Sequence, residues 1–163
     1  MRPEHLSNDH ASSFDVIKHT ISFLQLDQTN ELIVFLQPTS PLRLVFELDA
    51  ALEFFIAKNA KGIVSISETE HSPMWSNTLP ENSCMSDFIR PEVQGKRSQD
   101  LPKFFRLNGS IYIYETLPLL EQGKIFFDEN VYGFETSLET AVDIDTALDF
   151  LVAETIIKHW AFE

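Results

Sequence analysis

Asp143-Ile144-Asp145 is the stretch of this sequence with the sharpest chemical content. In an extended backbone, residues two apart point the same way with side-chain origins roughly 6 to 7 Å apart, so the two carboxylates share a face while Ile144 turns to the other and anchors the segment. Such a pair suits a magnesium ion, which takes few protein carboxylates and keeps positions for water and phosphate oxygens, the form of a nucleotide-transfer site. The same spacing also fits a plainer role, in which Asp145 caps the final helix and Asp143 is solvated, because Asp is among the best N-caps. Arg2, Arg43, Arg97 and Arg106 are scarce positive charges, each in a loop or at an element's end. Their paired N–H donors suit carboxylate or phosphate recognition, although each taken singly also reads as a surface ion pair.

These groups need a frame, and the frame centres on residues 32 to 43. Leu32 to Leu36 reads as a strand buried on both faces, and Pro38 and Pro41 stop the ladder because neither can donate a backbone hydrogen bond. Loops at the carboxyl ends of strands line the ligand crevice in open α/β sheets, so Gln37, Thr39, Ser40 and Arg43 are candidates for substrate contact, against the alternative of a ligand-free proline-braced turn. Upstream, Ser12 and Asp15 mark a helix start, and Ile17, Thr20, Ile21 and Leu24 recur on one face of a helix over about 13 to 26. Downstream, Leu48, Ala51, Leu52, Phe55 and Ile56 form the apolar stripe of a second helix, and Ile63 to Ile66 form a strand. Strand, helix, strand at this spacing is a βαβ unit, which predicts an α/β fold with a mostly parallel twisted sheet and flanking helices.

Residues 68 to 107 break the rhythm with Pro73, Pro80, Pro91 and Pro102, and read as an excursion from a single domain covering residues 1 to 163. Gly109 to Tyr114 returns as a strand, Thr116 to Gln122 as a helix closed by Gly123, and Val131 to Glu135 as a further strand. A last helix over about 146 to 159 is expected to bury Leu148, Leu151, Val152, Thr155 and Ile156. Tyr112 reads as a packed residue with its hydroxyl at the rim, Phe126-Phe127 as core more readily than pocket, and Asn108-Gly109 as a turn.

Composition removes several classes. A net charge of -13, from 12 basic and 25 acidic side chains, argues against a nucleic-acid polymer or an anionic membrane surface as partner. The lone Cys84 makes no internal disulfide and has no neighbours in zinc-ligand spacing, which fits a reducing cytosol. No apolar run approaches the roughly 18 residues of a membrane span and no signal-peptide pattern opens the sequence, so the expected location is cytoplasmic. No Walker loop, Gly-x-Gly-x-x-Gly or Gly-x-Ser-x-Gly is present, and five glycines leave little room for a phosphate cradle.

Four stretches in order resemble the acylneuraminate cytidylyltransferases, the CMP-N-acetylneuraminate synthetases. Arg2-Pro3-Glu4-His5-Leu6-Ser7-Asn8-Asp9-His10-Ala11-Ser12-Ser13 is similar to the family's Arg-Pro...Leu...Asp-x-Ala-Ser segment, and Leu36 to Arg43 matches its Leu-Gln-Pro-Thr-Ser-Pro-Leu-Arg stretch. Gln99-Asp100-Leu101-Pro102 leads into Arg106-Leu107-Asn108-Gly109-Ser110-Ile111-Tyr112, and Val142-Asp143-Ile144-Asp145 resembles the family's acidic metal motif. The resemblance implies a nucleotide-diphospho-sugar transferase-like, Rossmann-like fold and transfer of CMP from CTP to a sugar acid with magnesium. It implies Asp143 and Asp145 as metal ligands and catalytic residues, and Arg2 as both catalytic and nucleotide-binding. Ser13 and Asn108 would join Arg2 at the nucleotide, while Gln37, Arg97, Arg106, Tyr112, Phe126 and Phe127 would contact the sugar acid. The excursion would exchange between subunits of a homodimer, carrying Arg97 toward the neighbouring site.

One departure stands beside the match. Family members open with a strand and an Ala-Arg-x-Gly-Ser-Lys type loop that grips the triphosphate, and neither is in these 163 residues. The expectation is therefore a chain that starts inside a larger unit, incomplete at its N-terminus and inactive alone. Two alternatives are a cytidylyltransferase for a related nonulosonate such as legionaminate, and a non-catalytic dimerisation or binding module.

Overall fold

The computed structural model describes residues 2–8 and 10–160, so Asp9 of the opening segment lies outside the described residues. Four α-helices and four strands alternate through it: α1 (Ser13–Phe23), β1 (Leu32–Phe35), α2 (Val45–Lys58), β2 (Gly62–Glu68), β3 (Phe105–Glu115), α3 (Thr116–Gln122), β4 (Val131–Glu135) and α4 (Ala147–Trp160). The start of α1 forms as its sequence dictates, with Ser12 Oγ accepting from the backbone N–H of Asp15 at 3.1 Å.

The strands lie in the order β1-β3-β2-β4. β3 pairs antiparallel with both β1 and β2, and β4 pairs parallel with β2, so β1, β2 and β4 share a direction that β3 opposes. The expected mostly parallel sheet is thus corrected to a mixed one. The excursion is the reason: it leaves after β2 and returns beside its own departure point, where Thr69 N–H donates to the Phe104 carbonyl at 2.9 Å. A chain that re-enters beside the end of the strand it left runs antiparallel to that strand. Between Glu68 and Phe105 the excursion holds only short 3-10 turns, in keeping with its lack of periodicity.

Alternation along β3 divides the core. Tyr114 packs with Val64, Ile17, Ile21, Leu119 and Phe126, with Tyr112 and Phe14 against the same cluster, while Ile111 and Ile113 meet Ile63, Ala51 and Phe55 of α2 on the other face. Two expectations of burial fail. β1 is an edge strand whose Leu32 and Val34 are exposed, because among the described residues only β3 flanks it. On α4 Ala153 is buried, but Leu148, Leu151, Val152 and Thr155 are exposed. Periodicity marks an apolar face without supplying what covers it. No helix among the described residues is long and apolar enough to cross a membrane.

Tyr114 carries a pH signature of this core. Its hydroxyl donates to the Phe126 carbonyl at 2.7 Å, and burial, with smaller pushes from Tyr112 and Asp128, raises its phenol well above the ordinary 10.0. A raised phenol favours the neutral form in the fold, so its contribution is complete below pH 10 and is lost as the pH climbs beyond it. Phenolate absorbance is expected to show Tyr114 ionising well above pH 10, after Tyr112 and together with unfolding, and Tyr114→Phe is expected to remove that step. Tyr114 ionising near pH 10 in a folded chain would contradict this.

Candidate active site

The loop after β1 is clamped to β3. Arg43 donates through Nη2 to the Gln37 carbonyl and through Nε to the Ser110 carbonyl at 3.1 Å, with burial lowering its pKa from the ordinary value. Arg43 therefore braces the loop instead of reaching for a ligand. Gly109 permits the close approach: at φ +72° a Cβ there would stand 3.0 Å from Ser40 Oγ and collide with the Gln37 side-chain amide. The Gln37 side chain consequently lies directly over the β3 backbone.

Beneath it Asn108 is a buried junction, 1% exposed. Its Oδ1 accepts from Ser65 Oγ at 2.5 Å and from Ser110 N–H at 3.2 Å, its Nδ2 donates to Thr136 Oγ1 at 2.8 Å, and its carbonyl accepts from Ser40 Oγ at 3.2 Å. Its side chain is committed to β2, β3 and the end of β4. In this arrangement it sets the loop and does not face a nucleotide.

Asp143-Ile144-Asp145 joins the same loop. Ile144 N–H donates to the Thr39 carbonyl at 2.8 Å, which lays the segment along Gln37 to Arg43. Asp143 is half-buried, and its Oδ1 is shut away from solvent with no hydrogen-bond partner among the described residues. Its charge acts on Tyr112, whose phenol is raised first by burial and then by Asp143. Asp145 is exposed, and it is not the cap of α4. That role falls to Thr146, whose Oγ1 accepts from Asp149 N–H at 3.3 Å, while Asp149 Oδ2 accepts from the N–H groups of Thr146 and Asp145 at 2.7 and 3.2 Å. The plainer reading of Asp145 is removed, leaving its carboxylate available.

An unpartnered buried carboxylate oxygen on Asp143, with the exposed carboxylate of Asp145 two residues on, is of the right chemistry for magnesium, a hard cation that prefers oxygen. No group of three or more His, Cys, Asp or Glu among the described residues could hold a metal ion. The protein's share would be these two carboxylates, the rest coming from water and phosphate.

The other candidates divide. Tyr112 stands at the site, its ring 6.0 Å from that of Phe35. Arg106 donates to Glu70 Oε1 at 3.0 Å and to the Ala141 carbonyl at 3.3 Å, tying the approach to Asp143 to the base of the excursion; its guanidinium holds Glu70 below the usual carboxylate range. Arg97 stays within the excursion, paired with Asp100 at 3.1 Å. Arg2 bonds Ser7 Oγ at 3.1 Å and borders a small cleft with His19, Thr20, Phe23 and Leu24, toward the end of α1 opposite to the exposed Ser13. Ten residues of helix separate Ser13 from Phe23, about 15 Å at about 1.5 Å per residue, so Arg2 and Ser13 are not brought together. Phe126 is corrected from pocket to core: it is 5% exposed with its ring 5.1 Å from Tyr114, whereas Phe127 is 60% exposed. Alternation at a chain turn puts only one of two adjacent aromatics inside.

Sequence reasoning missed Glu47, Thr140, Ser65 and Thr136 as supports of the site. Glu47 had a signal, an acidic side chain at the third position of a helix. The other three are small hydroxyl residues that nothing local sets apart.

No family model matches the chain. Similar proteins do. The N-acylneuraminate cytidylyltransferase of Streptococcus agalactiae is 33% identical over all 163 residues, and this chain spans 38% of that relative's length. A CMP-N,N'-diacetyllegionaminic acid synthase of Legionella pneumophila is 28% identical over 97% of this chain and 68% of its own length. A pseudaminic acid cytidylyltransferase of Campylobacter jejuni is 30% identical over 97% of this chain and 68% of its own length. At 33% identity to the streptococcal relative over all 163 residues, and 30% to the Campylobacter relative over two thirds of its length, the chain belongs to the acylneuraminate cytidylyltransferase family.

Proposed function

We propose that this chain carries the CMP-transfer site of a cytidylyltransferase acting on CTP and a nonulosonic sugar acid, with N-acetylneuraminate as first choice. The observation that supports it best is the 2.8 Å hydrogen bond from Ile144, between the two aspartates, to Thr39 of the Gln37 loop, with Asp143 close enough to act on Tyr112. In the reaction the sugar acid's anomeric hydroxyl oxygen forms a bond to the α-phosphorus of CTP and the bond from that phosphorus to the bridging oxygen breaks. Pyrophosphate leaves with that electron pair, and the hydroxyl proton passes to solvent.

Asp143 and Asp145 would hold magnesium, which when bound supplies charge neutralisation at the phosphate oxygens. Gln37, fixed over Gly109, presents an amide able both to donate to and to accept from the sugar acid. Tyr112, its phenol held above the ordinary pKa by burial and by Asp143, offers a hydroxyl donor near Asp143. Asn108, Arg43 and Arg106 hold this geometry from beneath. The fold reading that goes with it is nucleotide-diphospho-sugar transferase-like, supported by three strands of common direction with α2 crossing between β1 and β2. The working assembly is a homodimer in which the excursion reaches the neighbouring subunit, with Arg97, 71% exposed along its side chain, as its contact residue.

The names of the Legionella and Campylobacter relatives favour legionaminic or pseudaminic acid as a second reading of the sugar. Because these residues contain no Ala-Arg-x-Gly-Ser-Lys loop, the test is a chimera in which they replace the matching stretch of the streptococcal relative. Pyrophosphate release is expected to require both CTP and one of the three sugar acids, assayed side by side. A folded chimera that binds CTP and releases none with any of them would count against the proposal.

A further inference from the structure

The segment bearing the two aspartates is held from behind by a group outside the four sequence stretches that drew attention to this site. Glu47 stands in the first turn of α2 and is 6% exposed, an uncommon place for a carboxylate. Its Oε2 accepts from Leu44 N–H at 3.2 Å, and its Oε1 accepts from the Thr140 hydroxyl at 2.7 Å and from Ser137 N–H at 3.5 Å. Thr140 is 2% exposed and lies three residues before Asp143. Helix α2 begins directly after the Gln37 to Arg43 loop, so one carboxylate links both halves of the site, the loop through the helix start and the aspartate segment through Thr140.

A buried carboxylate is tolerated there because the helix N-terminus favours negative charge and because both oxygens accept hydrogen bonds. The geometry points to Glu47 as a positioning residue that, through the Thr140 hydroxyl, fixes Asp143-Ile144-Asp145 in register with Thr39 for cation binding. This rests on the reading of Asp143 and Asp145 as metal ligands. Groups that orient ligands from behind, without touching the ion, commonly govern affinity by about 10- to 100-fold.

The test measures Mn2+ affinity of the whole chain by water-proton relaxation, alongside hydrogen exchange at the Ile144 amide and a melting curve. Thr140→Val keeps the shape and removes the hydroxyl; it is expected to weaken Mn2+ binding about tenfold and to speed exchange at Ile144. Thr140→Ser restores the hydroxyl and is expected to recover both. Should Thr140→Val fail to fold, Glu47→Gln keeps the size while removing the charge, and is expected to weaken Mn2+ in the same direction. A lowered melting temperature with unchanged Mn2+ affinity in these variants marks a structural role only and overturns the inference alone. A wild-type chain that binds no Mn2+ at Asp143 and Asp145 overturns the functional reading and the inference with it.

Discussion

Asp145→Ala in the streptococcal chimera is expected to lower kcat/KM for pyrophosphate release by about 100- to 1000-fold, equivalent to about 3 to 4 kcal/mol of transition-state stabilisation. The size follows from what the side chain is free to do. Asp145 is exposed, and the helix-capping work nearby is done by Thr146 and Asp149, so its removal should leave the fold nearly untouched while taking away one of two carboxylates available to a cation. Asp149→Ala supplies the contrast: it removes the carboxylate that accepts from the Thr146 and Asp145 N–H groups, and should lower the melting temperature slightly while leaving the magnesium dependence of the rate in place. Equal rates for the chimera and its Asp145→Ala variant at saturating magnesium would remove the metal role.

The second large effect is on stability. Asn108→Ala is expected to destabilise the chain by about 3 to 4 kcal/mol, lowering the melting temperature by about 10 °C. Ser65 Oγ and Ser110 N–H would lose their shared acceptor and Thr136 Oγ1 its donor, all three in residues exposed by less than a tenth. Buried polar groups left without partners cost more than the net worth of the bonds they made. Ser65 Oγ also donates to Asn108 while accepting from Ile111 N–H at 2.8 Å, so the damage should spread along the β2–β3 pairing. A loss below about 1 kcal/mol, read by urea unfolding, would mean that the network rearranges around the gap.

The parts of the fold that announce themselves in sequence are those decided locally. Pro38 and Pro41 end β1 wherever it lies, Ser12 starts α1, and Gly123 stops α3 in the left-handed conformation at φ +65°. Asp143-Ile144-Asp145 is legible as a pair for the same reason, since two-residue spacing needs no distant partner. What the chain conceals is set at long range. Asn108-Gly109 reads as a turn, yet Asn108 is a strand residue whose partners Ser65 and Thr136 are 43 and 28 positions away. The direction of β3 depends on how a loop of irregular turns returns, and no periodicity encodes that. For β1 and α4 the apolar pattern points to Leu32, Val34, Leu148, Leu151 and Val152 as buried where the fold leaves them exposed, because burial is a property of the neighbours. Phe126 and Phe127 are alike in sequence and opposite in burial, because only the fold says which of them turns toward Tyr114.

Asp143 and Asp145 are proposed to act together on one divalent ion beside the Gln37 loop. Titration of Mn2+ into the chain, followed by water-proton relaxation, tests it most directly with wild type against Asp143→Asn, Asp145→Asn and the double variant. A saturable site is expected in the wild type, weakened by at least about tenfold in each single variant and lost in the double variant. Undiminished Mn2+ binding in the double variant would contradict it.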